Sequence, residues 1–390
     1  MSLDIKGLLN PVVRNIPPSG IRKFFDIAAE MEDAISLGVG EPDFVTPWHI
    51  RDEGIYSLEK GQTYYTSNSG LKELRIEISK YLNRRFHVKY EPLSQVLVTV
   101  GGSEAIDLFI RSIISPGDEV LIPEPSFVCY KPITSLAGGV PVPIVTKAEN
   151  QFRLTAAELK AAITPKTKAL ILPFPNNPTG GVMLKADLEE IAEVLRGTDI
   201  MVLSDEIYAE LTYGDKHVSI STIDGMYERT VIVSGFSKAY AMTGWRLGYA
   251  CGHPDIIKAM TKVHQFAIMS APTTAQYAAI EALKNGDDDI RIMKEEYDQR
   301  RHVIVSGFND MGLECFEPLG AFYAFPNIKS IGMGSTEFCE TLLFDKKVAV
   351  VPGNAFGDSG EGFVRCSYAY SIENINEALN RIESFVKERK

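Results

Sequence analysis

Short apolar runs alternate with helical segments through the middle of the chain. Six runs rich in Val, Ile and Leu are bounded by Gly, Pro or polar residues, which is typical of buried strands. They are residues 95–100, 119–125, 168–174, 200–208, 231–238 and 246–252. Segments with apolar residues at helical spacing lie between them, such as 155–163 and 186–197. Strands that alternate with helices predict a parallel sheet that is covered by helices on both faces.

The pattern changes near residue 285. The remaining chain predicts a long amphipathic helix, two short strands and a closing helix, at residues 290–308, 321–328, 348–353 and 374–389. We also expect one short helix around residues 21–30. The fold class is therefore α/β, with a large domain and a smaller α+β domain. The expected division is an N-terminal arm and part of the small domain at 1–45, a large domain at 46–285 and a small C-terminal domain at 286–390.

Composition narrows the possible functions. The chain has 390 residues, of which 45% are hydrophobic and 23% charged, as in an ordinary globular protein. A net charge of -11 argues against a dedicated nucleic-acid or anionic-membrane binder. No apolar run reaches the roughly 18 residues of a membrane span, and the start lacks the pattern of a secretory signal. Five dispersed cysteines without CxxC indicate reduced thiols, so we expect a cytoplasmic protein. The six histidines include no HExxH pattern, and we expect no metal site.

Polar residues that carry chemistry follow the ends of several predicted strands, where ligands bind in open α/β sheets. A Gly-Gly-Ser-Glu turn at residues 101–104 precedes a helix, and free N–H groups there suit a phosphate. Asn177 and Asp205 follow two later runs. Lys238 follows another, and Arg246 stands eight residues later. Taken alone, each of these features is also explained by an ordinary turn, a helix cap or a solvated surface residue.

Together these residues point to one ligand. A desolvated lysine is a nucleophile for carbonyls, and an arginine offers a fork for phosphate. A buried acid requires a positive partner. A ligand with a phosphate, a carbonyl and a basic ring nitrogen satisfies all three requirements, and pyridoxal phosphate (PLP) is such a ligand.

The chain resembles the class I/II aminotransferases of fold type I, closest to the branch of aromatic and aspartate aminotransferases. The segments that carry the resemblance run in the family's order from residue 38 to 369: GVGEPD, YYTSNSGLKELR, GGSEAI, NNPTG, SDEIY, SGFSKAYAMTGWRLGY, PLGAFYAFP and FVRCSYA. The resemblance implies a large domain with a mostly parallel seven-stranded sheet. It also implies a PLP-dependent homodimer that moves the amino group of an L-amino acid to a 2-oxo acid such as 2-oxoglutarate, ping-pong through the aminated cofactor.

The resemblance assigns catalytic and cofactor-binding roles to five residues around the ring. Lys238 would hold PLP as a Schiff base and then move a proton. Asp205 would pair with the ring nitrogen, and Tyr208 and Asn177 would bond the phenolic oxygen. Phe127 would stack on the ring, and Phe127 and Asn177 would also lie beside the substrate.

Further residues are implied for the two acidic groups of the ligands. The phosphate would be held by Arg246, by Gly102, Ser103 and Glu104, and by Tyr65 of the second subunit. The usual Ser or Thr three residues before the lysine is Gly235 here, so Ser237 or Ser234 would supply the hydroxyl. Arg365 and the backbone of Gly40 would bind the substrate α-carboxylate.

Several alternatives remain open from the sequence. A PLP-dependent C–S β-lyase begins with the same lysine. An α/β hydrolase would use Ser103, because residues 101–105 nearly match a nucleophile elbow. A ligand sensor fused to a DNA-binding domain would need more chain than residues 1–40 offer. The resemblance also implies an N-terminal segment that closes over bound substrate. The apolar residues of this segment, Ile21, Phe24 and Phe25, would then favour hydrophobic or aromatic donors; packing of a helix on the small domain explains them equally well.

Overall fold

A seven-stranded sheet forms the centre of the structure. The computed structural model describes residues 3, 5–18, 20–21, 31 and 33–389. The strands of this sheet are β2 Val96–Thr99, β3 Glu119–Glu124, β4 Val140–Val145, β5 Thr167–Leu172, β6 Met201–Asp205, β7 Thr230–Gly235 and β8 Gly248–Cys251. Their order is β2-β8-β7-β6-β5-β3-β4, with only β8 antiparallel to its neighbours within this sheet. The α/β class with a mostly parallel seven-stranded sheet is confirmed.

Two strands depart from the simple pattern. The connection from β7 to β8 contains one short 3₁₀ turn, Thr243–Trp245, and no α-helix within its described residues. The chain returns beside β7 in the antiparallel direction. The sequence did not predict β4, because Pro141 and Pro143 interrupt it. Prolines are tolerated on an edge strand, where alternate N–H groups face away from the sheet, and β4 is the edge.

Both faces of the sheet are buried, which explains the unbroken apolar runs. Neighbouring residues of one strand enter different clusters: Leu203 packs with Leu97 and Val231 on one face. Val202, next to Leu203, packs with Leu121 and Leu170 on the other face. Because alternate side chains of a strand point to opposite faces, a strand covered on both sides must be apolar throughout.

Helices cover the sheet and form much of the C-terminal part. Their bounds are Ile5–Leu8, Pro11–Asn15, Trp48–Glu59, Lys72–Phe86, Gly101–Ile113, Tyr130–Leu136, Ala156–Ala162, Lys185–Leu195, Pro254–Ala267, Thr273–Asn285, Asp287–Asp310, Ser335–Lys346 and Ile372–Lys387. The expected long helix and closing helix are present. Within the described ranges no helix is both long and apolar enough to cross a membrane. The helix expected around residues 21–30 lies, after Ile21, outside the described residues.

A short strand near the N-terminus pairs with a strand of the C-terminal part. Strand β1, Ile35–Ser36, pairs in parallel with β10, Val348–Ala349. A separate three-stranded antiparallel sheet has the order β11-β12-β9, with bounds Val351–Pro352, Val364–Ser367 and Tyr323–Ala324. A large apolar cluster links these strands to the helices of residues 287–387. Residues from both ends of the chain thus lie near the carboxyl ends of the central strands, where the same cluster includes Tyr208 and Leu211 after β6.

Candidate active site

A cavity of about 620 Å³ lies at the carboxyl ends of the parallel strands. Its size is that of a small-molecule site. All but two of the residues that the sequence predicted for the site line it: Gly40, Gly102, Ser103, Phe127, Asn177, Asp205, Tyr208, Ser237, Lys238, Arg246 and Arg365. The structure therefore brings together residues from the two ends and the middle of the chain.

Lys238 lies just after the end of β7, and its amine points at the backbone of an N-terminal loop. The Nζ atom donates a hydrogen bond to the Gly40 carbonyl oxygen at 2.6 Å. Desolvation lowers the pKa of Lys238 to about 8, against a smaller opposing effect of Glu41, and the charges of Arg365 and Arg246 lower it further. A lysine with this pKa is neutral, and therefore nucleophilic, in about half of the molecules at pH 8, where an ordinary lysine is almost fully protonated.

Asp205 ends β6 as a buried carboxyl group. Tyr130 donates to its Oδ2 atom at 2.7 Å, and the Ile207 N–H donates to Oδ1 at 3.2 Å. Desolvation raises the pKa of Asp205 to about 6, and the neighbouring Glu206 charge adds to the rise. The described residues give this carboxyl no basic partner. It is suited to a cation that enters the cavity.

Arg246 faces the glycine turn that begins the helix Gly101–Ile113. A Cβ atom on Gly101, which has φ +75°, would lie 2.8 Å from Arg246 Nη2. A Cβ atom on Gly248 would meet the Gly101 backbone at 2.5 Å. The positive φ favours glycine at position 101, and the close backbone approach requires it at position 248. The first N–H groups of a helix lack intrahelical acceptors, so the turn and the guanidinium together form an anion site.

Arg365 on β12 is buried and held from several sides. Its Nη1 atom donates to Asn177 Oδ1 at 2.9 Å, and its Nη2 atom donates to the Gly38 carbonyl oxygen. The guanidinium carbon lies 4.6 Å from the centre of the Tyr323 ring. The Nε atom is buried without a hydrogen-bond partner among the described residues. A buried guanidinium with a spare donor is suited to a carboxylate.

Two tyrosines that the sequence analysis did not select belong to the site. Tyr130 holds Asp205, and Tyr323 joins its hydroxyl to that of Tyr208 at 2.7 Å. Both tyrosines line the cavity. Tyr323 stands in the PLGAFYAFP segment, and Tyr130 follows Phe127 by three residues. These neighbouring motifs were the only sequence signal that the two tyrosines belong to the site. The residues they contact lie far away in the chain.

Two predicted residues do not line the cavity. The carboxylate of Glu104 instead contacts His264 and the Val100 N–H. Tyr65 is 81% exposed on the surface. Of the two serines left open for the phosphate, Ser237 lines the cavity, whereas Ser234 donates its hydroxyl to the Glu206 carbonyl oxygen at 3.2 Å. Phe24 and Phe25 lie outside the described residues.

The charges around the cavity fit the cofactor expected from the sequence. A lysine amine faces the cavity and suits the aldehyde. A buried acid, with no basic partner in the described part of the chain, suits the ring nitrogen, and the Gly101 turn with Arg246 suits the phosphate. Because Gly101 has φ +75° and Gly248 lies against the backbone of the same turn, the shape of the anion site depends on the glycines that this chain has. The residues present therefore fit PLP.

Comparisons with known proteins agree with this geometry. A family model described as aminotransferase class I and II matches residues 32–382. An aspartate aminotransferase of Pyrococcus abyssi is 48% identical over 96% of this chain and 97% of its own length. Aromatic-amino-acid aminotransferase 2 of Thermococcus litoralis is 45% identical over 96% of this chain and 97% of its own.

Solved structures give the same result. The crystal structure of an aromatic aminotransferase from Pyrococcus horikoshii superposes with a TM-score of 0.90 at 44% identity, covering 95% of this chain and 99% of that one. An aspartate aminotransferase from Thermus thermophilus superposes with a TM-score of 0.93 at 38% identity, covering 96% and 99%. These matches favour neither the lyase nor the hydrolase. The chain belongs to the class I and II aminotransferase family, and it is a PLP-dependent enzyme that transfers amino groups between amino acids and 2-oxo acids.

Proposed function

We propose that the amino donor is a hydrophobic or aromatic L-amino acid and that 2-oxoglutarate is an acceptor. The observation that carries this proposal is the balance of charge in the cavity. Its described lining contains three basic side chains, Lys238, Arg246 and Arg365. The roles proposed below use all three, so no described cation of the lining is left to favour a donor with a second carboxylate. Ile21, Ile106 and Phe127 supply apolar surface instead. 2-Oxoglutarate, which carries a second carboxylate, is proposed from the likeness to the family and not from this charge balance.

The proposed roles of the residues follow from their places in the cavity. Arg365 binds the substrate α-carboxylate as a bidentate pair, and the Gly40 backbone lies beside it. Lys238 Nζ holds the cofactor and, once released, moves a proton from the substrate Cα atom. Asp205 keeps the ring nitrogen protonated. When bound, PLP supplies a ring that withdraws electrons and stabilises negative charge at the substrate Cα.

The remaining residues orient the ring and its phosphate. Asn177 and Tyr208 approach the phenolic oxygen, and Tyr323 orients the Tyr208 hydroxyl through their 2.7 Å contact. Phe127 covers one ring face. The phosphate is bound by Arg246, by Ser237, and by the turn of Gly102, Ser103 and Glu104 through its free N–H groups.

The donor is tested by mixing the purified holoenzyme with single amino acids and following the spectrum of the half-reaction. Phenylalanine or tyrosine should convert the cofactor to its aminated form with a higher kcat/KM than aspartate. One buried aromatic contact contributes roughly 1.5–3 kcal/mol, enough for about a tenfold preference or more. Equal or faster reaction of aspartate would refute the proposal and imply a further cationic group. Elimination products instead of the aminated cofactor would support the lyase.

We also propose a homodimer in which Tyr65 contacts the phosphate of the other subunit. Support comes from large aromatic side chains on the surface: Tyr64, Tyr65 and Phe266 are 79%, 81% and 84% exposed. Monomeric proteins rarely leave extensive apolar patches uncovered. A twofold dimer would bury such groups and complete two equivalent sites.

Hybrid dimers test the composite site. Tyr65→Phe subunits are mixed with inactive Lys238→Ala subunits. If Tyr65 crosses the interface, one hybrid site carries both changes and the other carries neither, so the hybrid contains one native site. If each subunit uses its own Tyr65, no hybrid site is native. An active monomer in sedimentation, or full activity of the Tyr65→Phe homodimer, would contradict the proposal.

Two further proposals concern the whole chain. We place the enzyme in the cytoplasm, because its five cysteines are unpaired and a reducing compartment keeps thiols in that state. We divide the chain at residues 1–45, 46–285 and 286–390. The pairing of β1 with β10 supports assigning the N-terminal arm in part to the small domain.

A further inference from the structure

A buried histidine and a partly buried glutamate form a pair beside the proposed phosphate turn. Glu104 is on the first turn of the helix Gly101–Ile113, next to Ser103, which lines the cavity. Its Oε2 atom accepts the Val100 N–H at 2.5 Å, and its Oε1 atom lies 2.7 Å from His264 Nδ1. Both carboxylate oxygens are therefore directed away from the cavity by specific partners.

His264 is completely buried in the last turn of the helix Pro254–Ala267. A carboxylate only accepts hydrogen bonds, so the proton lies on His264 Nδ1. The other ring nitrogen, Nε2, is buried without a hydrogen-bond partner among the described residues. An imidazole with one unsatisfied nitrogen packs less favourably than an apolar side chain. The contact with Glu104 is what distinguishes His264 from a packing residue.

The arrangement matters because Glu104 and the cofactor phosphate are both anions beside one helix N-terminus. The first N–H groups of this helix have no intrahelical acceptor, and a nearby carboxylate competes for them with any other anion. When His264 binds its Oε1 atom, the Glu104 side chain stays in the conformation in which Oε2 accepts the Val100 N–H. Without that partner, the Oε1 atom loses its hydrogen bond, and the free N–H groups of the same turn offer it other donors.

We propose that His264 is a positioning residue for PLP: by binding Glu104 it keeps that carboxylate out of the phosphate turn. The inference rests on the proposed role of the 102–104 turn and Arg246 in holding the phosphate. His264 touches neither the cofactor nor the substrate. It acts through Glu104, and its effect should therefore be specific for ligands that carry the phosphate.

The experiment compares the affinities of the apoenzyme for PLP and for pyridoxal, which lacks the phosphate. His264→Phe keeps a ring of similar size and removes the donor. Loss of a hydrogen bond to a charged group should weaken PLP binding by roughly 10- to 100-fold and leave pyridoxal binding nearly unchanged. His264→Asn, whose amide places a donor near the Nδ1 position, should restore most of the PLP affinity.

Two further variants separate this effect from general damage. Adding Glu104→Gln to His264→Phe removes the competing charge and should recover PLP affinity, so the two changes should be non-additive. Met260→Ala perturbs the same helix at another buried position, one turn away. It should lower the melting temperature without changing the ratio of PLP to pyridoxal affinity.

The outcomes distinguish the inference from the function on which it rests. If Arg246→Ala weakens PLP selectively but His264→Phe does not, the phosphate site stands and the inference about His264 is overturned. If neither variant changes the ratio, the phosphate assignment itself fails. Should His264→Phe not fold, His264→Gln serves in its place, since its longer side chain moves the donor away from the Nδ1 position. An unchanged affinity ratio in that variant equally overturns the inference.

Discussion

Replacing Asp205 by Asn should stabilise the apoenzyme while weakening its hold on PLP. Burial raises the pKa of Asp205 from 3.8 to about 6. At about 1.4 kcal/mol per pKa unit, the ionised carboxylate costs the folded apoprotein roughly 3 kcal/mol. The neutral amide avoids this cost. Its oxygen can still accept the Ile207 N–H, and the Tyr130 hydroxyl can turn to accept from the amide nitrogen.

The sign of the pH dependence follows from the direction of this shift. Below about pH 4, Asp205 is protonated in both folded and unfolded chains and contributes nothing. As the pH rises to about 6, the unfolded chain releases this proton first, and the folded apoprotein loses stability relative to it. The Asn variant has no such loss. Its advantage should therefore be complete above pH 6 and should disappear as the pH falls toward 4.

Thermal unfolding of the two apoproteins between pH 4 and 8 measures the effect. An unfolding entropy of about 2.1 cal/mol/K per residue converts 3 kcal/mol into a melting temperature about 3–4 °C higher for Asp205→Asn at pH 8. The dissociation constant of PLP should rise at least roughly a hundredfold, since the protonated ring nitrogen loses its anionic partner. Asp224→Asn, at a side chain that is 98% exposed, is the matched control and should change neither quantity.

One result would refute this reasoning. If apo Asp205→Asn melts at or below the wild-type temperature at pH 8, the carboxylate is not destabilising in the apoprotein. A difference in melting temperature that does not depend on pH would have the same meaning, because a titrating group must produce a pH-dependent difference.

Two other substitutions test the chemistry of the site. Lys238→Ala should fold but lose turnover, because it removes the covalent attachment and the proton carrier. After borohydride reduction of the wild-type enzyme, peptide mapping should find the pyridoxyl group on Lys238. A label on another lysine would contradict the assignment. Arg365→Lys should raise KM for all donors by about 10- to 100-fold, because an ammonium cannot replace the bidentate contact; steady-state kinetics measures this, and an unchanged KM would assign the α-carboxylate to another group.

The sequence predicted the parts of the site that follow the ends of apolar strands. Asp205 is the last residue of β6 and Lys238 lies three residues after the end of β7, so the strand pattern alone placed both at the same end of the sheet. Tyr130 and Tyr323 were missed because their importance lies in contacts with Asp205 and Tyr208, which are 75 and 115 residues away. A local sequence pattern does not show contacts between residues that are so far apart in the chain.

The same distinction applies to the fold. Strand β4 was missed because its prolines lower the local tendency to form a strand, whereas its edge position in the sheet tolerates them. The direction of β8 was not predicted, because the apolar pattern of a strand does not show whether the strand runs parallel or antiparallel to its neighbours. His264 gave no signal either, since its partner Glu104 lies 160 residues earlier in the chain.

The hydrogen bonds that join Gly40 to Lys238 and Gly38 to Arg365 span 198 and 327 residues. On the ribosome, the stretch between Lys238 and Arg365 takes roughly 6–25 s to synthesise at about 5–20 residues per second. Once β8, residues 248–251, has followed Lys238, the lysine and the central sheet can exist while Arg365, which would bind the substrate carboxylate, does not. The nascent chain can therefore acquire a reactive amine well before it can select a substrate. A truncated product that is not degraded would carry the amine of Lys238 without Arg365.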